Sequence, residues 1–238
     1  MDKIFYDLHI HSCLSPCGDE DMTPANIISM ANLKNLDVIA VTDHNTCRNC
    51  PSVMAHGKEQ GVIVIPGMEL CTQEEVHVLC LFPSLLDALD FDAYVYEGLI
   101  KIENQENIFG RQQIYDENDR CVGIEPNLLI NATMISYDEL EGLIRKFHGI
   151  YIPAHIDKNA NGLLSNLGFI PPTSKFSWAE VKDISKIEEL RRSNSYLKQC
   201  GIITNSDAHS LGLINEALNY LTVKERSLEG VLEALQRV

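Results

Sequence analysis

Apolar and polar positions alternate along this chain in repeated blocks. "KIFYDLHIH" (3–11) reads as a short strand running into His9 and His11. "LDVIAVTDH" (36–44) is nearly continuous apolar sequence ending at Asp43 and His44, and "GVIVIPGMEL" (61–70) is apolar until Gly67 and Glu69. "VHVLCLF" (76–82) begins at His77, "GIYIPAHIDK" (149–158) leads to His155, and "GIITNSDAH" (201–209) leads to Asp207 and His209. Short apolar runs of this kind suit strands buried on both faces. "ISKIEEL" (184–190) is read as holding a short strand near Ile187 and Leu190.

Helices are predicted between these runs. Thr23 followed by Pro24 is an N-cap with proline at the first helical position, and Ile27, Ile28 and Ala31 supply part of an apolar face. Ser136 with Glu139 three residues later is a capping-box pattern, and Gly149 lies beyond that helix's end. The tail "SLEGVLEALQRV" places Leu228, Val231, Leu232 and Leu235 on one face. Region 84–120 reads as helices and loops, an insertion that the pattern does not divide. Strand followed by helix along residues 1–238 predicts one α/β domain. A closed β/α barrel is expected, with its active site at the C-terminal strand ends. A doubly wound open sheet is the alternative.

The polar residues at the strand ends change the picture. They comprise His9, His11, Asp43, His44, Glu69, His77, His155, Asp207 and His209, and so take six of the chain's eight histidines. Residues i and i+2 of a strand share a face, so His9 and His11 project together, and Asp207 and His209 repeat the spacing. Imidazoles mixed with carboxylates suit zinc, manganese or iron, and magnesium less well. The set is too large for one ion. Two or three divalent ions sharing carboxylates would use it, with Glu69 and Asp207 as the natural bridges. His77 starts its run rather than ending it, which weakens its case. Asp43 could act in catalysis or orient a ligating histidine. His56 and His148 read as helix-end residues.

The motifs "HIHS" (9–12), "TDHN" (42–45), "GMEL" (67–70) with His77, "AHID" (154–157) and "SDAH" (206–209) occur in this order. In this the chain resembles the polymerase and histidinol phosphatase (PHP) family. The resemblance implies a distorted seven-stranded β/α barrel with a two- or three-metal centre ligated by His9, His11, His44, Glu69, His77, His155, Asp207 and His209. It implies phosphate-ester hydrolysis by a metal-activated hydroxide, with Asp43, His209 or a metal-bound water as candidates for protonating the leaving group. The family's first motif continues to a further histidine or aspartate. Here "SCLSPCGDE" (12–20) offers Cys17, Asp19 or Glu20 instead, with Cys17 at the favoured reach. Arg111 and Lys158 are candidate phosphate contacts. A non-phosphate metal hydrolase of amidohydrolase type, and a metal-binding regulatory module without turnover, are the competing readings.

Charge and composition narrow the partners. Nineteen Lys and Arg against 34 Asp and Glu give a net charge of −15. That balance argues against an extended nucleic-acid surface and for a small phosphorylated substrate, a phosphomonoester or nucleotide, without excluding a short nucleic-acid end drawn into a metal-lined pocket. No apolar run is long enough to cross a membrane, and "MDKIFYD" lacks the apolar core of a signal peptide, so a cytoplasmic protein is expected. "CRNC" (47–50) is read as incidental, with a redox pair or half a zinc site as alternatives.

Overall fold

The computed structural model describes residues 1–237, so the last residue of the C-terminal tail lies outside it. In chain order the elements are β1 (Asp2–Ile10), α1 (Pro24–Leu33), β2 (Val38–Val41), α2 (Cys50–Gln60), β3 (Ile63–Cys71), β4 (His77–Leu81), α3 (Leu85–Gly98), α4 (Glu106–Phe109), β5 (Gln113–Tyr115), β6 (Cys121–Ile124), α5 (Tyr137–Lys146), β7 (Ile150–Pro153), α6 (Leu163–Leu167), β8 (Trp178–Glu180), α7 (Ile187–Ser193), β9 (Gly201–Ile203), β10 (Tyr220–Val223) and α8 (Leu228–Gln236). Region 84–120 thus resolves into α3, α4 and the first strand of a β5–β6 hairpin.

Six strands form one curled sheet in the order β10-β1-β2-β3-β4-β7. The β1–β2 and β2–β3 pairs are parallel, whereas β3–β4, β4–β7 and β1–β10 are antiparallel. β8 and β9 form a separate parallel pair. Single hydrogen bonds tie that pair to both flanks. The Ile156 amide donates to the Glu180 carbonyl (2.9 Å), the Asp207 amide to the His9 carbonyl (2.8 Å), and the His11 amide to the Ala208 carbonyl (2.9 Å). The sheet is therefore a half-barrel with a short pair across its gap. The continuous seven-stranded barrel expected from sequence is not drawn among the described residues.

Alternation along the strands sorts the core. Ile4, Tyr6 and Leu8 of β1, Val38 and Ala40 of β2, Leu79 and Leu81 of β4 and Ile152 of β7 meet Val231, Leu232 and Leu235 of α8 in one buried cluster. The opposite face of β2, Ile39 and Val41, packs on Ile27, Ile28 and Ala31 of α1 and Val53 of α2. Met68, Leu70, Val78 and Cys80 pack on Ala88, Phe91 and Val95 of α3 and on Leu140, Leu143 and Ile144 of α5.

Local signals explain most of the helix ends. The Thr23 hydroxyl caps the Asn26 amide, and Ser136 with Glu139 forms the expected capping box. Beyond α5 it is His148, not Gly149, that takes the left-handed conformation (φ 58°). Gly149 serves packing, because a Cβ there would stand 2.8 Å from the Phe82 ring. The strand expected near Ile187 and Leu190 is instead helix α7.

Candidate metal centre

The sheet's mixed direction brings the strand-end residues to one rim. β1, β2 and β3 end there with His9, His11, His44 and Glu69. Because β4 runs antiparallel to β3, its first residue, His77, stands opposite Cys71 at the same rim. β7 reverses again and delivers His155, and the chain after β9 delivers Asp207 and His209. The backbone is strained where it turns into the site: Asn45 (φ 52°), His155 (φ 30°), Asn161 (φ 56°) and Asp207 (φ 55°) are all left-handed. Non-glycine residues held there cost roughly 1–3 kcal/mol each and persist only where the surroundings over-determine them.

Glu69 lies at the middle, almost fully buried. Its Oε1 is 2.9 Å from His77 Nδ1, 3.1 Å from His155 Nε2 and 3.3 Å from His9 Nε2. Its Oε2 is 3.0 Å from His44 Nδ1 and 3.4 Å from His11 Nε2. Asp207 Oδ1 is 3.4 Å from His9 Nε2 and 3.3 Å from His11 Nε2. The His209 ring stacks on that of His11 with centroids 4.2 Å apart. Three groups each bring their ligand atoms within 4.8 Å of one another: His9, His11 and Glu69; His44, Glu69 and His77; His11, His44 and His209.

Hydrogen bonding behind these residues fixes which nitrogen faces the centre. His9 Nδ1 donates to Glu180 Oε2 (2.8 Å). The Ser15 hydroxyl donates to Asp43 Oδ1 (2.7 Å), so it must accept from His11 Nδ1 at 2.9 Å. In the neutral imidazoles both Nε2 atoms are then left as lone pairs, only 3.2 Å apart and facing two carboxylates. Two such lone pairs repel unless a cation lies between them. His44 Nδ1 is buried near Glu69 Oε2 but lacks hydrogen-bond geometry to it, and His155 Nδ1 is buried with no partner. This donor set fits divalent metal ions. Without them, burial disfavours a charged imidazole at His9, but Glu180, Glu69 and Asp207 outweigh it and raise its pKa well above the usual value. Burial likewise opposes the charge on His77, yet Glu69 pushes its pKa up to about 10. Glu69, despite burial, is held well below the usual carboxylate range by His77, His9 and His44.

Asp43 stands behind the ligands. Its oxygens accept from the Ser12 amide (2.7 Å), the Ser12 hydroxyl (2.6 Å) and the Ser15 hydroxyl. Glu180 and Ser15 escaped the sequence reading. Glu180 ends a strand of only three residues, too short for an apolar run to announce it. Asp7 escaped as well, although it shares the i, i+2 face of His9. It is buried and accepts from the Ser206 and Asn215 amides, which seats the loop that carries Asp207 and His209.

The remaining candidates separate cleanly. Lys158 Nζ donates to Asp207 Oδ2 (2.6 Å) and lines the same cavity, of about 260 Å³, as His44, Glu69, His77 and His155. Cys17 is exposed and joins none of the ligand groups, because its backbone turns left-handed (φ 68°) and its amide is tied to the Phe109 carbonyl. Arg111 is exposed, 3.9 Å from Glu20 Oε1, and does not line the cavity. Cys47 and Cys50 are buried free thiols that both donate to the Gly67 carbonyl, at 3.2 and 3.5 Å. No helix among the described residues is long and apolar enough to cross a membrane.

Comparison with known proteins places this arrangement. An uncharacterised protein of Methanocaldococcus jannaschii is 40% identical over 76 residues, 29% of this chain and 44% of that protein. A 5'-3' exoribonuclease of Haemophilus influenzae is 32% identical over 79 residues, 32% of this chain and 28% of the enzyme. The chain therefore spans less than half the length of these relatives. Among solved structures, the lesion-specific endonuclease Q of Pyrococcus furiosus shares the fold at a TM-score of 0.68 and 19% identity, over 99% of this chain and 56% of that one. A protein of Bifidobacterium adolescentis assigned as a metal-dependent phosphoesterase matches at 0.62 and 16% identity, over 98% and 96%. An amidohydrolase from Chromobacterium violaceum matches at 0.59 and 15%, over 96% of each chain, so the fold by itself does not select the bond that is cut. Endonuclease Q has also been seen with a 27-mer duplex carrying an abasic lesion at its active site. This corrects the expectation of a small phosphorylated substrate with no extended nucleic-acid surface. That expectation rested on whole-chain charge, whereas cations at a site set the local field whatever the net charge. The sequence profile of the PHP domain matches residues 7–236, nearly the whole chain, and the chain belongs to the PHP domain family.

Proposed function

We propose that this protein is a metal-dependent phosphoesterase that cuts a phosphate ester of a nucleic-acid strand end or an extruded nucleotide. The observation that carries the reading is Lys158, whose ammonium opens onto the same cavity as the imidazole and carboxylate cluster. A fixed cation beside metal ligands is what an anionic ester needs for binding and charge neutralisation. A cavity of about 260 Å³ takes one nucleotide-sized unit, not a duplex, and enzymes on duplexes meet that limit by extruding the target. The likeness to an exoribonuclease and to a DNA endonuclease supports the same substrate class.

His9, His11, Glu69 and Asp207 would hold one ion, with Glu69, His77 and His155 on a second and His44 and His209 completing a third. Zinc, manganese and iron suit these donors. When bound, the ions would acidify a water and offset charge on the phosphoryl oxygens. The protein's own groups do the rest. Lys158 binds a phosphate oxygen. His209 donates from Nδ1 to the Asp207 carbonyl at 3.1 Å, which frees Nε2. It is also the most exposed of the six clustered histidines, so this ligand stands at the mouth of the site. Asp43 positions Ser15 and, through it, His11.

The test is hydrolysis by purified protein loaded separately with Mn²⁺, Zn²⁺, Fe²⁺ and Mg²⁺. Substrates are nucleoside monophosphates, bis-p-nitrophenyl phosphate and end-labelled oligonucleotides with and without an abasic site. Turnover of at least one phosphate ester, lost in Glu69→Gln, is expected. Amide hydrolysis or deamination without any phosphate-ester turnover would overturn the reading.

A further inference from the structure

The cavity wall holds one large apolar side chain among its ionisable groups, Ile130. It is carried by the segment that follows β6, and its position is built. Asn45, directly after His44, donates through Nδ2 to the carbonyls on both sides of Ile130, to Leu129 at 2.7 Å and Asn131 at 2.8 Å. The same side chain's Oδ1 accepts from the Cys71 amide in β3 (2.8 Å), two residues past Glu69. Gln112 accepts from the Leu129 amide (2.9 Å) and donates to the carbonyls of Glu125 and Asn127. Leu129 is fully buried against Leu14 and Leu99, whereas Ile130 remains partly exposed and lines the cavity. Three of these hydrogen bonds hold the backbone on either side of Ile130, and the other three anchor the Asn45 and Gln112 side chains that make them.

We propose that Ile130 is a specificity-determining residue: a preorganised apolar platform for the face of the nucleobase or sugar next to the scissile phosphate. The inference rests on the phosphoesterase reading and deepens it. The ligand cluster and Lys158 recognise the phosphate, which every ester shares. Ile130 supplies the contact that only a substrate with a flat or apolar group beside the phosphate can use. Fixing the platform in advance lowers the ordering cost of binding. The Asn161 amide lines the same cavity, with no side-chain partner among the described residues, and offers a hydrogen bond to the edge of such a group.

The experiment compares Ile130→Ala and Ile130→Phe with the wild type, each metal-loaded and checked for unchanged melting temperature. Calorimetry measures affinity for a nucleoside monophosphate and for inorganic phosphate, and kinetics measures kcat/KM for a nucleotide ester and for glycerol phosphate. Ile130→Ala is expected to weaken the nucleoside monophosphate about ten-fold, within the range for lost apolar pocket contacts, and to leave inorganic phosphate unchanged. The nucleotide-to-glycerol ratio of kcat/KM should fall by a similar factor, mainly through KM, and Ile130→Phe should restore it. Equal loss for both ligands, or no loss for either, overturns the proposal. The binding arm keeps the two readings apart. A wild-type protein that turns over no ester but binds the nucleotide through Ile130 sinks the phosphoesterase reading alone. One that hydrolyses esters with Ile130→Ala unchanged sinks this inference alone.

Discussion

At the scale of single residues, the candidate centre depends on side chains that stand outside the ligand groups. Glu180 is fully buried and accepts a hydrogen bond from His9 Nδ1–H, which turns the other nitrogen toward Glu69 and Asp207. Carboxylates in this position usually set ligand basicity and orientation, and their loss costs 10–100-fold in metal affinity. Glu180→Gln keeps the shape but replaces an anion with an amide. Metal titration should show an affinity lower by about that factor, with the fold intact by circular dichroism. Wild-type affinity in this variant would remove Glu180 from the site. Cys17→Ser provides the opposite case. Cys17 is exposed and outside the ligand groups, so elemental analysis should find metal content per chain unchanged. A drop by one ion would restore the sulfur to the ligand set.

At the scale of elements, close packing can be separated from intrinsic helix signals. A methyl group at Gly149 would meet Phe82 ring carbons at 2.8 and 2.9 Å and the Leu81 carbonyl at 3.0 Å, all in the buried joint between β4 and β7. Neither backbone nor a core ring can yield cheaply, so Gly149→Ala should cost about 1–3 kcal/mol in denaturant unfolding. Ser136→Ala removes only a cap and should cost about 1 kcal/mol. If the two cost the same, Phe82 has room that the packing denies. The comparison also shows what was legible in the sequence. Capping boxes and apolar runs are local, so α5 and most sheet strands could be read directly. Strand direction is not local. His77 looked misplaced because a strand was assumed to end at the active rim, and only the antiparallel β3–β4 pair puts its first residue there. The misread near residue 187 has a simpler cause. Ile187 and Leu190 stand three residues apart, a helical spacing that so short a segment does not separate from a strand. Glu180 was lost because three residues carry no period at all.

At the scale of the molecule, the proposed metal ligands would act as a closure. They come from β1, β3, the start of β4 and the segments after β2, β7 and β9, and join His9 to His209 across almost the whole chain. The sheet itself does not close. Between the β8–β9 pair and β1 no ladder forms among the described residues; the Asp207 amide to His9 and His11 amide to Ala208 bonds are joined there by side-chain bonds, from the Leu8 amide to Asn205 Oδ1, from the Ser206 amide to Asp7 Oδ1 and from His9 Nδ1 to Glu180 Oε2. Ions held by Glu69 and Asp207 would therefore span this open seam, and their binding energy would add to the stability of the fold. At a free metal concentration one hundred times the dissociation constant, one site contributes about 2.7 kcal/mol. In a domain of this size that corresponds to roughly 5–10 °C in melting temperature. Chelation should lower the melting temperature by about that amount, and reloading should restore it. The loss should also be local. Hydrogen exchange at the His11 and Asp207 amides should accelerate on chelation, while the β2–β3 ladder, which is paired over Val38–Val41 and lies away from the gap, keeps its protection. Uniform acceleration across the sheet would mean that the metals stabilise the fold as a whole. An unchanged melting temperature and exchange pattern would mean that the cluster is complete without them, and the lone pairs facing each other at His9 and His11 would then need a proton instead.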